Sequence, residues 1–505
     1  MPGWRVIGMA MRPAPGLASA LLLLQDCMVG PDYVAPDTQM PDRWSQELSE
    51  GLVEGRADLR TWWTNLNDPT LDRMIELATL GNLNVKAAVA RIRQARAQLG
   101  VATGELAPEI DAQGQQQRSR VSNNVSGVAP PQRRTDTFYT FGLDSTWEID
   151  LWGQIRRNIE SADASIGASI EDFRDVLVVL YSDVAQNYVQ ARTQQARIVS
   201  ALNNVQTQEG ALQLTVNRNR AGLAPDLDVQ QARLNLATTQ AFVPGLRTGL
   251  AQAINALAML LGEFPSSVQA ELAASAPIPP PPAEVVVGLP TELLRQRPDI
   301  REAERNLAAQ TAQIGVATAQ LYPTFSLSGA FAFESFSSSD LLKWESRAWQ
   351  FGPTLRWNIF DAGRTRSNIV LQDALTEELL ADYEQTVLTA VQDVENAMAA
   401  YVQEVQRHEA LQRSVTAARA SVDLVDILYR SGLTDFQNVL DTQRAQFQQE
   451  DALAQSSGAL TQFLIQLYEA LGGGWGPATE ETPAPAVTST APRMAPLPAP
   501  PRPTV

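Results

Sequence analysis

The stretch Phe351-Gly-Pro-Thr-Leu-Arg-Trp-Asn-Ile-Phe-Asp-Ala-Gly363 decides the fold, because it starts with the pattern of a strand and leads into a helix. An earlier copy, Phe141-Gly-Leu-Asp-Ser-Thr-Trp-Glu-Ile-Asp-Leu-Trp-Gly153, is built in the same way. In both copies large apolar residues alternate with polar ones, which is the pattern of a strand with one apolar and one polar face. Beyond each closing glycine the apolar residues recur at the spacing of a helix. The sequence therefore predicts two strands that each run directly into a long helix.

The two copies belong to an internal tandem repeat. They lie 210 residues apart (351 − 141), and the same offset relates Arg220-Ala-Gly-Leu223 to Arg430-Ser-Gly-Leu433 far downstream. Upstream, Gly100-Val-Ala-Thr103 matches Gly315-Val-Ala-Thr318 at an offset of 215 (315 − 100), so the difference in length lies within the strand pair. Each unit reads helix, strand, strand, long helix, helix, with a period much longer than that of a solenoid unit.

Composition excludes several classes of function. A net charge of −17 argues against a nucleic-acid partner. A single cysteine excludes an internal disulfide framework and a cysteine-rich metal site. The single histidine, His408, lies in a polar helical stretch and has no partners at the spacing of a metal site or a catalytic triad. We therefore expect a protein that is not an enzyme and that has no cofactor, catalytic or metal site.

The N-terminus has the features of an export signal. Arg5 and Arg12 precede a largely apolar run, and Cys27 follows it, so residues 1–26 are predicted to be a signal peptide. Cys27 is a candidate lipid acceptor, although Asp26 stands where such sites have a small residue. The alternative is an ordinary signal peptide followed by an incidental cysteine.

Changes in composition divide the mature chain. Proline-rich stretches, and a tail rich in proline, alanine and threonine, separate or follow the periodic segments. The predicted divisions are an extended N-terminal segment (27–70), a first repeat (71–275), a proline-rich linker (276–290), a second repeat (291–475) and a disordered proline-rich tail (476–505).

The predicted strands have the length and the two-faced pattern of membrane-crossing strands. They lie near residues 110–122, 138–151, 324–335 and 349–360. A soluble sheet packed on a helix is the alternative, but it does not explain helices of roughly 65 residues, which are about 100 Å long. Four strands cannot close a barrel, and lipid does not tolerate an open sheet edge. Two protomers would give eight strands and three would give twelve, of which only twelve leave room for a solute.

The expected fold class is therefore mixed α and β. Long antiparallel coiled-coil helices form an α-barrel, and four strands are one protomer's share of a trimeric twelve-stranded transmembrane β-barrel in contact with outer-membrane lipid.

Several motifs resemble those of the TolC-like outer-membrane efflux protein family, in the lipoprotein branch that serves resistance–nodulation–division (RND) pumps. The resemblance covers nearly all of residues 27–475. Its motifs are Cys27-Met-Val-Gly-Pro-Asp-Tyr33, Trp62-Trp63 with Asp68-Pro69, Arg297-Pro-Asp-Ile-Arg301, Ile314-Gly-Val-Ala317, Leu321-Tyr-Pro323, Trp357-Asn-Ile-Phe-Asp361, Leu440-Asp-Thr-Gln-Arg444 and Ala470-Leu-Gly-Gly473.

The resemblance implies a homotrimer with a periplasmic helical tunnel and an equatorial belt. It also implies a periplasmic adaptor protein and an inner-membrane RND pump as partners, and export of drugs or other small toxic compounds without chemistry by the channel. A duct for type I protein secretion is the alternative within transport. A structural coiled-coil protein of the envelope is the alternative outside transport, and it leaves the four two-faced strands unexplained.

The two glycine turns between helices are the candidate adaptor-docking tip. Gly222 with Leu223, and Gly432 with Leu433, lie at the far ends of the two long helices. The resemblance implies that this end contacts the adaptor. The alternative is that the glycines only cap helices.

The candidate gate lies just beyond these turns. In a trimer Asp228 and Asp441 would each form a ring of three carboxylates, which favours cations. The resemblance places Asp441 at the family's constriction and pairs Asp228 with Tyr429 through a closing hydrogen bond. Phe436 is a candidate apolar plug. The alternative, open above all for Asp228, is a solvated residue in a first helical turn, where Asp suits the helix dipole.

Overall fold

The computed structural model describes residues 28–55, 59–120 and 135–476. The strands are β1 (Leu52–Glu54), β2 (Glu109–Arg120), β3 (Thr135–Ile149), β4 (Val285–Val287), β5 (Thr324–Ser335) and β6 (Arg347–Arg356). The helices are α1 (Pro69–Gly81), α2 (Leu83–Gly104), α3 (Gln154–Arg220), α4 (Asp226–Leu261), α5 (Pro265–Glu271), α6 (Leu293–Gln296), α7 (Pro298–Ala319), α8 (Arg364–Arg430) and α9 (Phe436–Ala470). The predicted signal peptide, Cys27 and all but the first residue of the predicted tail lie outside the described residues.

The element order confirms the internal repeat. The first unit is α2–β2–β3–α3–α4 and the second is α7–β5–β6–α8–α9. The long helices α3 and α8 have 67 residues each. Each starts directly after a glycine with positive φ, 81° at Gly153 and 87° at Gly363. Glycine adopts this backbone conformation without steric cost, which explains why both stretches end on it.

Strands β2, β3, β5 and β6 form one antiparallel sheet in that order. The register sets Phe141 opposite Phe333 and Leu143 opposite Phe331, so the large apolar side chains share one face. That face is solvent-exposed in the single chain. On the other face Gln113 Nε2 donates to Asp144 Oδ1 at 2.7 Å. The predicted two-faced character of the strands is thus confirmed, and β2 and β6 are the sheet edges within the described chain.

A pair of tryptophans fastens the sheet to the short helices. Trp147 Nε1 donates to the Leu106 carbonyl at 2.9 Å, just beyond α2. Its repeat equivalent, Trp357 Nε1, donates to the Leu321 carbonyl at 3.1 Å, just beyond α7. The last strand was predicted to extend to residue 360 but ends at Arg356. Trp357 therefore belongs to the corner between strand and helix.

The helices pack side by side around a shared apolar core. Helix α3 is central and contacts α2, α4, α7 and α9, whereas α8 contacts α7 and α9. The main core cluster includes Met74, Val184, Tyr188, Leu257 and Leu464. Within the part of the chain that the structure describes, no helix combines the length and the apolar character needed to cross a membrane.

The N-terminal segment has one element that the sequence did not predict. Strand β1 pairs in parallel with β4, with Leu52 opposite Val285. Nearby, Trp44 Nε1 donates to the Gly288 carbonyl at 2.7 Å. These contacts fasten the N-terminal segment to the linker between the two repeats.

Candidate functional site

The turns α3–α4 and α8–α9 have the same construction. Gly222 and Gly432 both have φ of +74°. In the first turn, Leu223 N donates a hydrogen bond to Arg218 O (2.8 Å) and Gly222 N donates to Asn219 O (2.9 Å). In the second turn, Leu433 N donates to Leu428 O (2.9 Å) and Gly432 N donates to Tyr429 O (3.0 Å). This pair of backbone hydrogen bonds is the Schellman motif, in which a glycine in the left-handed conformation ends a helix. The capping role of both glycines is therefore established by the geometry.

Both turns present a leucine to solvent. Leu223 is 69% exposed and Leu433 is 76% exposed. No atom lies within 4 Å of a side-chain carbon built at either glycine, so the turns face open space. Leu227, Leu424 and Ile427 extend the exposed apolar surface. Such a surface suits a protein partner, and adaptor docking there stays a prediction.

Phe436 lies inside the protomer. It is 2% exposed and packs in a small cluster with Val425, Tyr429, Val439 and Leu440. The centroids of the Phe436 and Tyr429 rings are 5.4 Å apart. A plug must project into the tunnel, and this side chain is enclosed by its own chain. The structure therefore does not place Phe436 where the predicted plug would be.

The predicted hydrogen bond between Tyr429 and Asp228 is also absent. The Tyr429 hydroxyl is buried and has no hydrogen-bond partner among the described residues. The reason is the position of the ring, which packs beside Phe436 and lies under the Arg218 guanidinium at 4.6 Å. Burial, followed by the nearby Asp435 carboxylate, raises the pKa of Asp228, and Arg218 opposes this rise.

Asp441 is exposed, as a ring of carboxylates on a tunnel axis requires. Its two oxygens accept from Gln437 Nε2 at 3.0 and 3.1 Å. Arg444 Nη1 lies 3.7 Å away on the same helix. The hydrogen bonds from the Gln437 amide fix the direction of this exposed carboxylate. The structure thus leaves Asp441 available for the gate, and that role stays a prediction.

Sequence reasoning missed Arg218. Its Nη1 donates to the Tyr429 carbonyl at 2.7 Å, so it joins the end of α3 to the end of α8. One signal was available, because Arg218 matches Leu428 at the repeat offset of 210 (428 − 218). A charged residue at one copy of a repeated apolar position indicates a contact that the other copy does not make.

Comparison with known proteins identifies the family. Residues 74–263 and 289–473 match the family described as outer membrane efflux protein. The chain belongs to this family. The efflux protein is 31% identical over 461 residues to nodulation protein T of Rhizobium leguminosarum bv. trifolii, covering 91% of this chain and 97% of the relative. It is 34% identical over 466 residues to the pyoverdine export outer membrane protein OpmQ of Pseudomonas aeruginosa, covering 91% of this chain and 96% of the relative.

Solved structures share the fold of the efflux protein. The outer-membrane channel OprN superposes with a TM-score of 0.82 at 37% identity, covering 89% of this chain and all of that one. A structure of CusC superposes with a TM-score of 0.76 at 27% identity, with the same coverage.

These findings confirm the predicted family, fold class, outer-membrane location and efflux function. The relatives are trimeric channels that work with an adaptor and an inner-membrane RND pump, as predicted for the partners. The family consists of channels, not enzymes.

Proposed function

We propose that the efflux protein passively exports small organic compounds, including drugs, that an adaptor and an RND pump deliver to it, and that it performs no chemistry itself. The observation that carries this proposal is the match of both repeats to the efflux family. Relatives named for organic cargo support the substrate class. They include OpmQ and the solvent efflux pump outer membrane protein SrpC of Pseudomonas putida, which is 31% identical over 464 residues.

Susceptibility of a deletion strain tests the substrate class. Growth would be measured against antibiotics, organic solvents and metal salts, with and without each candidate pump gene. We expect sensitivity to the organic compounds, restored by the wild-type gene only when a matching pump is present. Sensitivity confined to metal salts, or loss of a secreted protein without drug sensitivity, would contradict the proposal.

We also propose that the tip turns dock the adaptor and that the gate lies just beyond them. The shared geometry of the turns and their exposed leucines, Leu223 and Leu433, support docking. The exposed carboxylate of Asp441 supports a charged ring at the gate.

We further propose lipid attachment at Cys27. The next residues support it, because Val29 N donates to the Trp152 carbonyl at 3.1 Å, where β3 leads into α3. A side-chain carbon built at Gly153 would lie 2.6 Å from Met28 Cγ, so Met28 also packs at this corner. The described chain thus starts beside the base of the sheet, so an acyl chain on Cys27 would be attached close to the sheet that we propose crosses the membrane.

Metabolic labelling with a palmitate analogue tests this attachment. We expect label on the wild type and none on Cys27→Ser, with only mildly reduced efflux because the sheet also anchors the protein. A mature N-terminus at a residue other than Cys27 would refute the proposal.

A further inference from the structure

We propose that Arg218 is a clasp that ties the two tip turns of one protomer together and so sets the resting aperture of the tunnel. This inference rests on the gate location proposed above. It assigns the link between the turns to an arginine and a backbone carbonyl, instead of to the side chains of Tyr429 and Asp228.

The contact has two parts. Arg218 Nη1 donates to the Tyr429 carbonyl at 2.7 Å, which is a charge-assisted hydrogen bond. The guanidinium carbon also lies 4.6 Å from the centroid of the Tyr429 ring, in a cation–π arrangement. Tyr429 is the penultimate residue of α8, where the helix dipole favours a cation. All three effects act in the same direction.

The partners belong to different hairpins. Arg218 lies at the end of α3, in the hairpin α3–α4, and Tyr429 lies at the end of α8, in the hairpin α8–α9. Among the described residues, the next polar contact between these hairpins lies further from the tip, where Arg444 Nε donates to Asn235 Oδ1 at 3.0 Å. Moving the second turn away from the first therefore breaks the Arg218 contact.

The choice of acceptor has a consequence for mutagenesis. A backbone carbonyl is present whatever residue stands at position 429, and the Tyr429 hydroxyl has no partner among the described residues. Tyr429→Phe therefore keeps both the hydrogen bond and an aromatic ring. We expect this variant to behave as the wild type, whereas a gate latched through the hydroxyl would open.

The repeat makes the clasp one-directional. The equivalent of Arg218 in the second repeat is Leu428, and the equivalent of Tyr429 in the first is Asn219. Asn219 instead donates to the Ala224 carbonyl at 2.9 Å, within its own turn. The first hairpin holds the second, and the second does not return the contact with the same residues.

Single-channel recording on purified trimers in planar bilayers tests the clasp. We expect Arg218→Met to raise the open fraction at rest by about tenfold, the usual effect of losing one hydrogen bond to a charged group. Arg218→Lys keeps the charge and should restore much of the closure. The matched control is Arg220→Met, an exposed arginine two residues later on the same helix, which should leave the resting current unchanged.

Further measurements distinguish a failure of the clasp from a failure of the proposed gate location. Open-channel conductance and the thermal stability of the trimer should stay at wild-type values in Arg218→Met, because the clasp acts on the closed state. If Asp441→Ala alters ion selectivity while Arg218→Met leaves the resting current unchanged, the clasp is refuted and the gate location stands. If neither variant has an effect, both ideas fail. Should Arg218→Met not assemble, Arg218→Gln replaces it, and a wild-type resting current in that variant together with Arg218→Lys counts against the clasp.

Discussion

The long helices α3 and α8 have equal lengths and equal closing turns, but their surroundings differ. Of 67 residues in each, 23 are buried in α3 and 12 in α8. Helix α3 has neighbours on several sides, whereas α8 lies at an edge of the helical layer and β6 lies at the edge of the sheet. Duplication therefore supplied two copies of one element, and position decided their roles. One copy holds the protomer together, and the other leaves an apolar side for a neighbouring protomer.

The largest effect is expected where the two copies agree, at the turns. Leu223→Glu combined with Leu433→Glu should abolish efflux while trimers remain intact. Two charges in an apolar contact cost roughly 3 kcal/mol or more, which weakens docking by about a hundredfold. Drug susceptibility measures the loss of efflux, and pull-down of the adaptor measures the weaker docking.

The control for this double variant is Leu342→Glu, which is 74% exposed and lies in the β5–β6 connection. The single variants show whether the two turns contribute equally. Normal resistance in the double variant would remove the docking role from both turns.

A second experiment uses one repeat position where the copies differ. Val178 in α3 is 4% exposed, and its equivalent in α8, Leu388, is 64% exposed. Val178→Glu should destabilise the protomer by on the order of 3 kcal/mol, because it buries a charge without a partner. Leu388→Glu should instead weaken trimer assembly and leave the protomer folded. Gel migration of unheated trimers and circular dichroism separate the two outcomes, and equal effects of both variants would contradict the difference in position.

A smaller effect, on ion selectivity, is expected at the proposed gate. This experiment tests whether the second hairpin alone forms the constriction. Asp441→Ala should lower the preference for cations by roughly twofold, since a ring of three charges is lost. Reversal potentials in a salt gradient measure it, with the exposed Asp423→Ala on α8 as control. Unchanged selectivity in Asp441→Ala, with or without Asp228→Ala and Tyr429→Phe, would place the constriction elsewhere.

The smallest effect is expected on the pH dependence of the melting temperature. It concerns carboxyl groups in and near a cavity of 470 Å³ between the repeats. Its ionisable lining residues are Asp175, Arg297, Asp299, Asp393 and Glu469. Burial, then repulsion from Asp299, raises the pKa of Asp175 from 3.8 to about 6, although Arg297 opposes this rise. Burial and nearby carboxylates likewise raise the pKa of Glu302 from 4.5 to about 7.

A carboxyl group whose pKa is raised by folding stabilises the fold while protonated, and this stability is lost as pH rises through the folded pKa. The melting temperature should therefore fall between about pH 4 and pH 7, the range from the ordinary pKa values of these two carboxyl groups to their raised values. Asp175→Asn should flatten part of that slope, whereas the exposed Asp163→Asn on the same helix should not. A melting temperature that rises over this range would contradict the sign. The repeat equivalent of Asp175 is Gln385, so the effect belongs to one copy.

Local pattern predicted much of this molecule. The repeat, the faces of the strands, the long helices and the two turns all follow from periodicity and from glycines, which act within a few residues. Strands β1 and β4 were missed because three residues carry no recognisable period.

The gate residues were harder for a different reason. Whether Tyr429 meets Asp228 or Arg218, and whether Phe436 faces the tunnel or the core, depends on which helices are neighbours. A single sequence does not encode that adjacency in any local signal.

The tryptophan contacts at the base of the sheet also fix one end of each long helix. Trp147 and Trp357 each fix a strand end to the carbonyl that follows a short helix, so each long helix is clamped at one end. The other end carries a glycine turn with open space around it. For a helical hairpin about 100 Å long that tilts as one body, a tilt of about 5° at the clamped end moves the tip by roughly 9 Å. A displacement that would be negligible at the membrane is thus wide enough at the far end to admit a small molecule.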